Sequence, residues 1–206
     1  MDLLIIRHAE SYANRKKILI SDKNDSLTNE GKNQSKRLAD VLLKLKLIPS
    51  TVYSSPWLRA HQTAKILFGD EFPIILDSRL AETNPGEFGT WLEEDFNAKF
   101  PFFKMNVSNR YKNGESHLDM MNRVQDWIEE NITSKTPEKS LTALVSHGGP
   151  ISVILQVLLK IPLYEYYPSF VVSNASFSFL KWNYDLKRYY IERVGQTIIC
   201  DGISPI

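Results

Sequence analysis

The chain has 206 residues, 43% of them hydrophobic and 24% charged, with a formal net charge of +1. That balance fits an ordinary globular domain and excludes a nucleic-acid or membrane-surface role driven by overall charge. A single cysteine, Cys200, rules out an intrachain disulfide, and no apolar run approaches the roughly 20 residues that span a bilayer.

The apolar stretch Leu3–Ile6 is too short for a signal peptide, so a cytoplasmic location is expected. In chain order, residues 2–7 read as a buried strand that runs directly into Arg7 and His8. Residues 28–46 read as a helix capped by Thr28, because Leu38, Val41, Leu42 and Leu45 recur at i, i+3, i+4 and i+7. Residues 51–55 form a second strand. Ser55-Pro56 then marks a helix start, with Ala60, Ala64 and Leu67 facing inward. A third short strand falls at 74–76.

The stretch 77–113 is broken by Pro85, Gly86, Gly89 and Pro101 and reads as an excursion with a helix near 91–99. Ser116 caps the next helix, with Asp119 three residues on as in a capping box. Residues 141–146 are an apolar strand, and Gly148-Gly149-Pro150 begin a helix that runs through Leu159. Residues 170–182 and 188–194 alternate in polarity around "NYDLK" and read as a hairpin. Strands alternating with helices imply a three-layer α/β/α fold, its sheet mostly parallel with an antiparallel edge hairpin near the C-terminus. No linker divides the chain, so residues 1–206 read as one domain.

In open α/β sheets, ligands bind beyond the carboxyl ends of the strands. Three predicted strands end in polar groups: one at Arg7-His8, one running into Arg59, one at Ser146-His147-Gly148. If they are parallel neighbours, two arginines and two histidines meet at one crevice, beside helix N-termini that favour anions. That set suits a phosphoryl group. Guanidinium forks match its oxygens, one imidazole can attack phosphorus, and the other can donate to the equatorial oxygens. Such a site needs no metal or cofactor, but it needs a proton donor for the leaving oxygen.

The motifs "RHAES", Asn14, "LTNEGKNQSKRLA", "VYSSPWLRAHQTA", "RLAETNPGEF", "NGESHLDMMNRV" and "LVSHGGPI" follow one another in order over residues 5–151. In this the chain resembles the histidine phosphatase superfamily, the phosphoglycerate-mutase-like group. The resemblance implies His8 as the nucleophile that becomes phosphohistidine, with Arg7, Arg59 and His147 on the phosphoryl group. It implies Glu82 as the acid and then the base, and Asn14 and the Gly148 backbone as further phosphate contacts. Two positions depart from the family pattern: Ala9 replaces the motif glycine, and Phe88 takes a usual tryptophan position. The alanine is tolerable where its φ is negative.

Blander readings stand beside these. Arg7-His8 alone would pass for a solvated strand end, and Glu87 competes with Glu82. His61 and His117 read as surface or capping residues, and Arg15-Lys16-Lys17 as a solvated face. No histidine spacing suggests a metal site. The expected function is a phosphomonoester hydrolase acting on a small phosphorylated metabolite, with neither nucleic acid nor membrane as partner. The alternatives are a phosphoglycerate-mutase-type phosphotransferase and a non-catalytic module that binds phosphorylated ligands. Lys99, Lys104, Arg110 and Lys112 lie among five aromatics, Phe96, Phe100, Phe102, Phe103 and Tyr111, in the short excursion. That composition suggests a substrate lid around 83–113 more than a bisphosphate cradle.

Overall fold

The computed structural model describes residues 1–69, 72–134, 139–165, 167–199 and 202–203; Cys200 lies outside them. The first strand, β1 (Asp2–Arg7), has its four middle residues buried because it lies deep inside a six-stranded sheet. The other strands are β2 (Thr51–Ser54), β3 (Ile74–Leu76), β4 (Leu141–Ser146), β5 (Phe177–Asn183) and β6 (Arg188–Gln196). They stand in the order β3-β2-β4-β1-β5-β6. The first four are parallel, while β5 and β6 form the antiparallel hairpin expected at one edge.

Alternation along β1 explains the layers. Leu3 and Ile5 face one side, where they join Met120, Val124 and Trp127 of α5 (His117–Ile128) and Ile151 and Ile154 of α6 (Gly148–Leu158). Leu4 and Ile6 face the other side. There they meet Leu38 and Leu42 of α2 (Asn29–Lys44) and Ala60 and Ala64 of α3 (Leu58–Phe68). A period of two on the strand therefore feeds two helical layers. Each of the buried Leu, Ile, Val and Met side chains among these contributes roughly 1.5–3 kcal/mol relative to exposure. Among the described residues, no helix is long and apolar enough to cross a membrane.

Register decides where the functional edge lies. Arg7 is level with Ser146 across the β1–β4 pair, and Ser54 is level with Val145 across β2–β4. The chain therefore leaves all three strands at one edge, delivering His8, Ser55 and His147 together.

Three local expectations need correction. α3 begins at Leu58 rather than at Pro56, and its N-cap is Trp57. The Ser55 hydroxyl accepts from the Trp57 N–H at 3.2 Å and also bonds His147 Nε2, so it serves a turn and the crevice instead of a helix cap. β5 begins only at Phe177, because the preceding residues turn inward to the β1 end: Ala175 N donates to His8 O and Arg7 N to Ser176 O. A four-residue helix, α1 (Tyr12–Arg15), follows the "RHAES" segment, with Ser11 and Asn14 capping each other reciprocally. The capping box at Ser116 and Asp119 and the cap at Thr28 form as expected.

Candidate active site

His8 leaves β1 buried, 2% exposed, with both ring nitrogens engaged. Nδ1 lies 2.8 Å from the Ala9 carbonyl oxygen, which can only accept, so Nδ1 carries the proton. Nε2 then holds the lone pair, and it accepts from Arg59 Nε at 3.1 Å. Burial lowers the His8 pKa well below the ordinary imidazole value, and the positive charges of Arg59 and Arg7 lower it further; the Ala9 contact opposes them. The ring is thus neutral at pH 7 and carries an electron pair on Nε2. Ala9 is not among the residues with positive φ, is fully buried, and donates its N–H to Thr63 Oγ1 at 3.1 Å. Its methyl fits without strain.

His147, at the end of β4, is completely buried, and its ring stands edge-on to His8 with centroids 4.9 Å apart. Its Nε2 is 2.8 Å from Ser55 Oγ. That hydroxyl already accepts from Trp57 N, so its own proton is free to go to His147 Nε2. The tautomer that follows has its proton on Nδ1, a buried atom without a partner. Burial first, then Arg59 and His8, keep the His147 pKa well below its ordinary value.

Arg7 donates from Nη1 to the Val172 carbonyl, while its Nε is buried without a partner. Two donors at the carboxyl edge of the sheet, Arg7 Nε and His147 Nδ1, are thus buried without a partner. Burying an unmatched donor costs about 1–3 kcal/mol, which an incoming oxyanion would recover. Arg59 comes from the first turn of α3 and is 2% exposed. Its fork reaches the carbonyls of Asp22 at 3.0 Å and Ile20 at 3.2 Å, with the Asp25 carboxylate at 3.6 Å and the Trp57 ring 4.6 Å from Cζ. Burial brings its pKa down to about 10, with Asp25 and Glu82 opposing, so it stays charged at neutral pH.

Glu82 follows a short 3-10 turn (Ser78–Leu80) and faces the start of α6. Its Oε2 accepts from Gly149 N at 3.1 Å and its Oε1 from Thr83 N at 3.0 Å. A Cβ on Gly149 would lie 2.5 Å from Glu82 Oε1 and 2.9 Å from the Tyr167 hydroxyl, so a larger residue there would push the carboxylate aside. Gly148 is less constrained: a Cβ there would lie 3.7 Å from Arg7 Cζ, so the carboxylate held by the neighbouring Gly149 sits at the same edge as Arg7. Two cavities meet at Glu82. One, of about 280 Å³, is lined by Tyr111, His117, Tyr167 and Lys104; the other, of about 550 Å³, by Trp57, Ser78, Asn84 and Pro85.

The structure brings Arg7, His8, Arg59, His147 and Glu82 together, with Gly148 against Arg7. The Asn14 side-chain oxygen accepts from Ser11 N, Ser11 Oγ and Asn174 Nδ2, and Asn174 Nδ2 also reaches His8 O. Glu87 is drawn away to Lys112 at 2.9 Å and Asn113 at 2.7 Å. His117, expected at the surface, instead lines the smaller cavity with its Nδ1 3.1 Å from Thr83 Oγ1, and Glu82 acts on its charge. Sequence reasoning also missed Ser55, Gly149, Asp25 and Asn174. Only Gly149 left a signal there, as the second glycine of "SHGGP". Among the described residues, no group of three or more His, Cys, Asp or Glu side chains is gathered to hold a metal ion.

Comparison with known proteins adds independent findings. A family model described as the histidine phosphatase superfamily (branch 1) matches residues 3–195. A broad-specificity phosphatase of Saccharomyces cerevisiae is 29% identical over 209 residues, 95% of this chain and 85% of that protein. Phosphoserine phosphatase 1 of Hydrogenobacter thermophilus is 31% identical over 182 residues, 85% of this chain and 84% of that protein. The structure of a mycobacterial glucosyl-3-phosphoglycerate phosphatase superimposes with a TM-score of 0.79 at 25% identity, covering 94% of this chain and 98% of that one.

Proposed function

Because the chain belongs to the histidine phosphatase superfamily, branch 1, we propose that it hydrolyses small phosphomonoesters through a phosphohistidine on His8, within a single domain whose 83–113 excursion acts as a substrate lid. The observation that carries this reading is the state of His8: neutral, with Nδ1 tied to a carbonyl and the Nε2 pair set among Arg7, Arg59 and His147.

In the first step Nε2 attacks phosphorus, the N–P bond forms and the bond to the leaving oxygen breaks. Charge left on the ring is eased by the Nδ1–H bond to Ala9 O. Arg59 Nε–H, no longer facing a lone pair, turns to a phosphoryl oxygen, and Arg7 Nε–H and His147 Nδ1–H take the others. Glu82 in its acid form gives its proton to the departing alkoxide. In the second step Glu82 as carboxylate takes a proton from water, whose oxygen attacks phosphorus and releases His8. Two guanidinium groups supply the positive charge that a metal would otherwise bring, so the reaction proceeds without one.

Hydrolysis is favoured over mutase chemistry because the excursion's basic groups are already engaged. Lys104 pairs with Glu93 at 2.7 Å, Arg110 with Asp119 at 2.8 Å and Lys112 with Glu87 at 2.9 Å, and Lys99 lies 5.1 Å from the Trp91 ring centroid. Each is thus already neutralised or stacked, which weakens the case for a second phosphate site in the excursion. The cavity of about 280 Å³ beside Glu82 equals about nine waters, which suits a small alcohol. The larger cavity gives room for longer ones, in keeping with the breadth in the yeast relative's name. Incubation with a generic phosphomonoester in EDTA should release phosphate between about pH 5 and pH 8. No release would overturn the phosphatase reading, and release only on adding a divalent cation would overturn the metal-free mechanism.

A further inference from the structure

Two residues of the "NGES" segment and the helix it opens, Glu115 and Arg123, line the larger cavity but carry no step of the reaction just described. Glu115 immediately precedes the Ser116 cap, and Arg123 lies two turns along α5. All five guanidinium N–H donors of Arg123 are spent. Nε and Nη2 grip the two Glu115 carboxylate oxygens, each at 2.9 Å. The remaining donors go to three carbonyls of the segment bearing the acid: Arg79 at 2.8 Å, Ala81 at 2.7 Å and Glu82 itself at 2.9 Å. Glu115 Oε2 also accepts from Asn84 N at 2.8 Å, and Glu115 N donates to Asn84 O at 2.9 Å. The one carbonyl left between them, Leu80 O, takes the Ser146 hydroxyl at 2.7 Å.

A loop held through so many of its carbonyls fixes the Glu82 backbone, and from there its carboxylate reaches Gly149 N and Thr83 N. Gly114 lets the two strands of chain touch, since a Cβ there would lie 2.4 Å from Asn84 O. The Arg123 side chain is only 18% exposed and that of Glu115 25%, so the ion pair is partly shielded from solvent. Planar forks fix position as well as charge.

We propose that Arg123 and Glu115 are positioning residues: together they hold the 79–84 segment so that Glu82 meets the leaving oxygen. The role rests on Glu82 being the acid. Leaving-group dependence separates the two claims. An alkyl phosphate needs a proton on its departing oxygen, whereas p-nitrophenyl phosphate releases a phenolate that does not, and kcat/KM reports the phosphorylation step for both. Glu82→Gln should cost the alkyl substrate roughly 10²–10⁴-fold and the aryl substrate less than about tenfold. If that split is missing, Glu82 is not the acid, whatever Arg123 does.

Arg123→Lys keeps the charge but loses the fork. It should cost the alkyl substrate about 10- to 100-fold, as misplacement by an ångström does, with the aryl substrate near wild type. Added to Glu82→Gln it should cost little more. Equal losses on both substrates, or no loss, with the Glu82→Gln split intact, would overturn the positioning role. Where Arg123→Lys fails to fold, Glu115→Gln is read by the same criteria.

Discussion

The carboxyl edge of the sheet and the 83–113 excursion meet at Glu82 but are built on different principles. At the edge, side chains step off parallel strands whose register leaves no freedom: Arg7 is level with Ser146, and His8 N donates to Ser146 O. The excursion has no strand. It consists of short turns and α4 (Glu93–Lys99) around an aromatic cluster of Phe88, Phe96, Phe100, Phe103 and Tyr111. A single antiparallel bridge, Ile18 to Leu92, ties it to the loop after α1. The contrast teaches a division of labour. On the proposed reading the nucleophile and the phosphoryl-binding groups are mounted on the core, while the excursion would meet the variable alcohol and Glu82 stands between the two.

The largest expected effect breaks the edge alone. His8→Ala should lower phosphate release by at least about 10⁴-fold on every substrate, because no other group supplies the nucleophile. Activity near wild type would place the nucleophile elsewhere. Next, Phe96→Ala opens the middle of the aromatic cluster, where Phe96 is 1% exposed. It should cost about 3–5 kcal/mol, read from the denaturant midpoint, and raise KM more than it lowers kcat. A dominant fall in kcat would mean that the excursion also holds the edge in place.

A pH effect of intermediate size separates the regions again. His8 and His147 have folded pKa values well below the ordinary 6.5. Between the folded and unfolded values the unfolded chain binds more protons. Stability therefore falls as pH drops below about 6.5, by up to about 1.4 kcal/mol per pH unit for each histidine. Because His8 stays neutral through pH 6.5, its acid limb in kcat/KM should appear only well below that. Melting temperatures across the same range give the check, and His8→Ala should flatten part of the slope. The smallest effect is at the motif's departure: Ala9→Gly should cost about 0.5–1 kcal/mol of stability and leave activity unchanged, since Ala9 does not use a positive φ.

How much of this was legible in the sequence follows the same division. β1 and β4 announce themselves as apolar runs and each ends beside a histidine, so Arg7, His8 and His147 stood out once the two stretches were read together; β2, Thr-Val-Tyr-Ser, gave a weaker signal. Asn174 could not: it reaches His8 O at 3.0 Å across 166 positions, and only the chain's return past the β1 end brings it there. α1 has four residues, too few for a helical period to show. Ser55 looked like a cap because Ser-Pro usually is one, and its hydroxyl turned out to serve His147. His117 looked like a surface or capping residue; that its ring lines a cavity beside Glu82 depends on the path of the excursion, which no local pattern encodes.

The most direct test of the central claim is to trap the intermediate. Rapid acid-free quench of the enzyme turning over an aryl phosphate, followed by peptide mass spectrometry, should find phosphate on His8 as an acid-labile, base-stable adduct formed at the rate of the product burst. Phosphate on His147 or on a serine, or a burst with no phosphorylated peptide, would contradict the account.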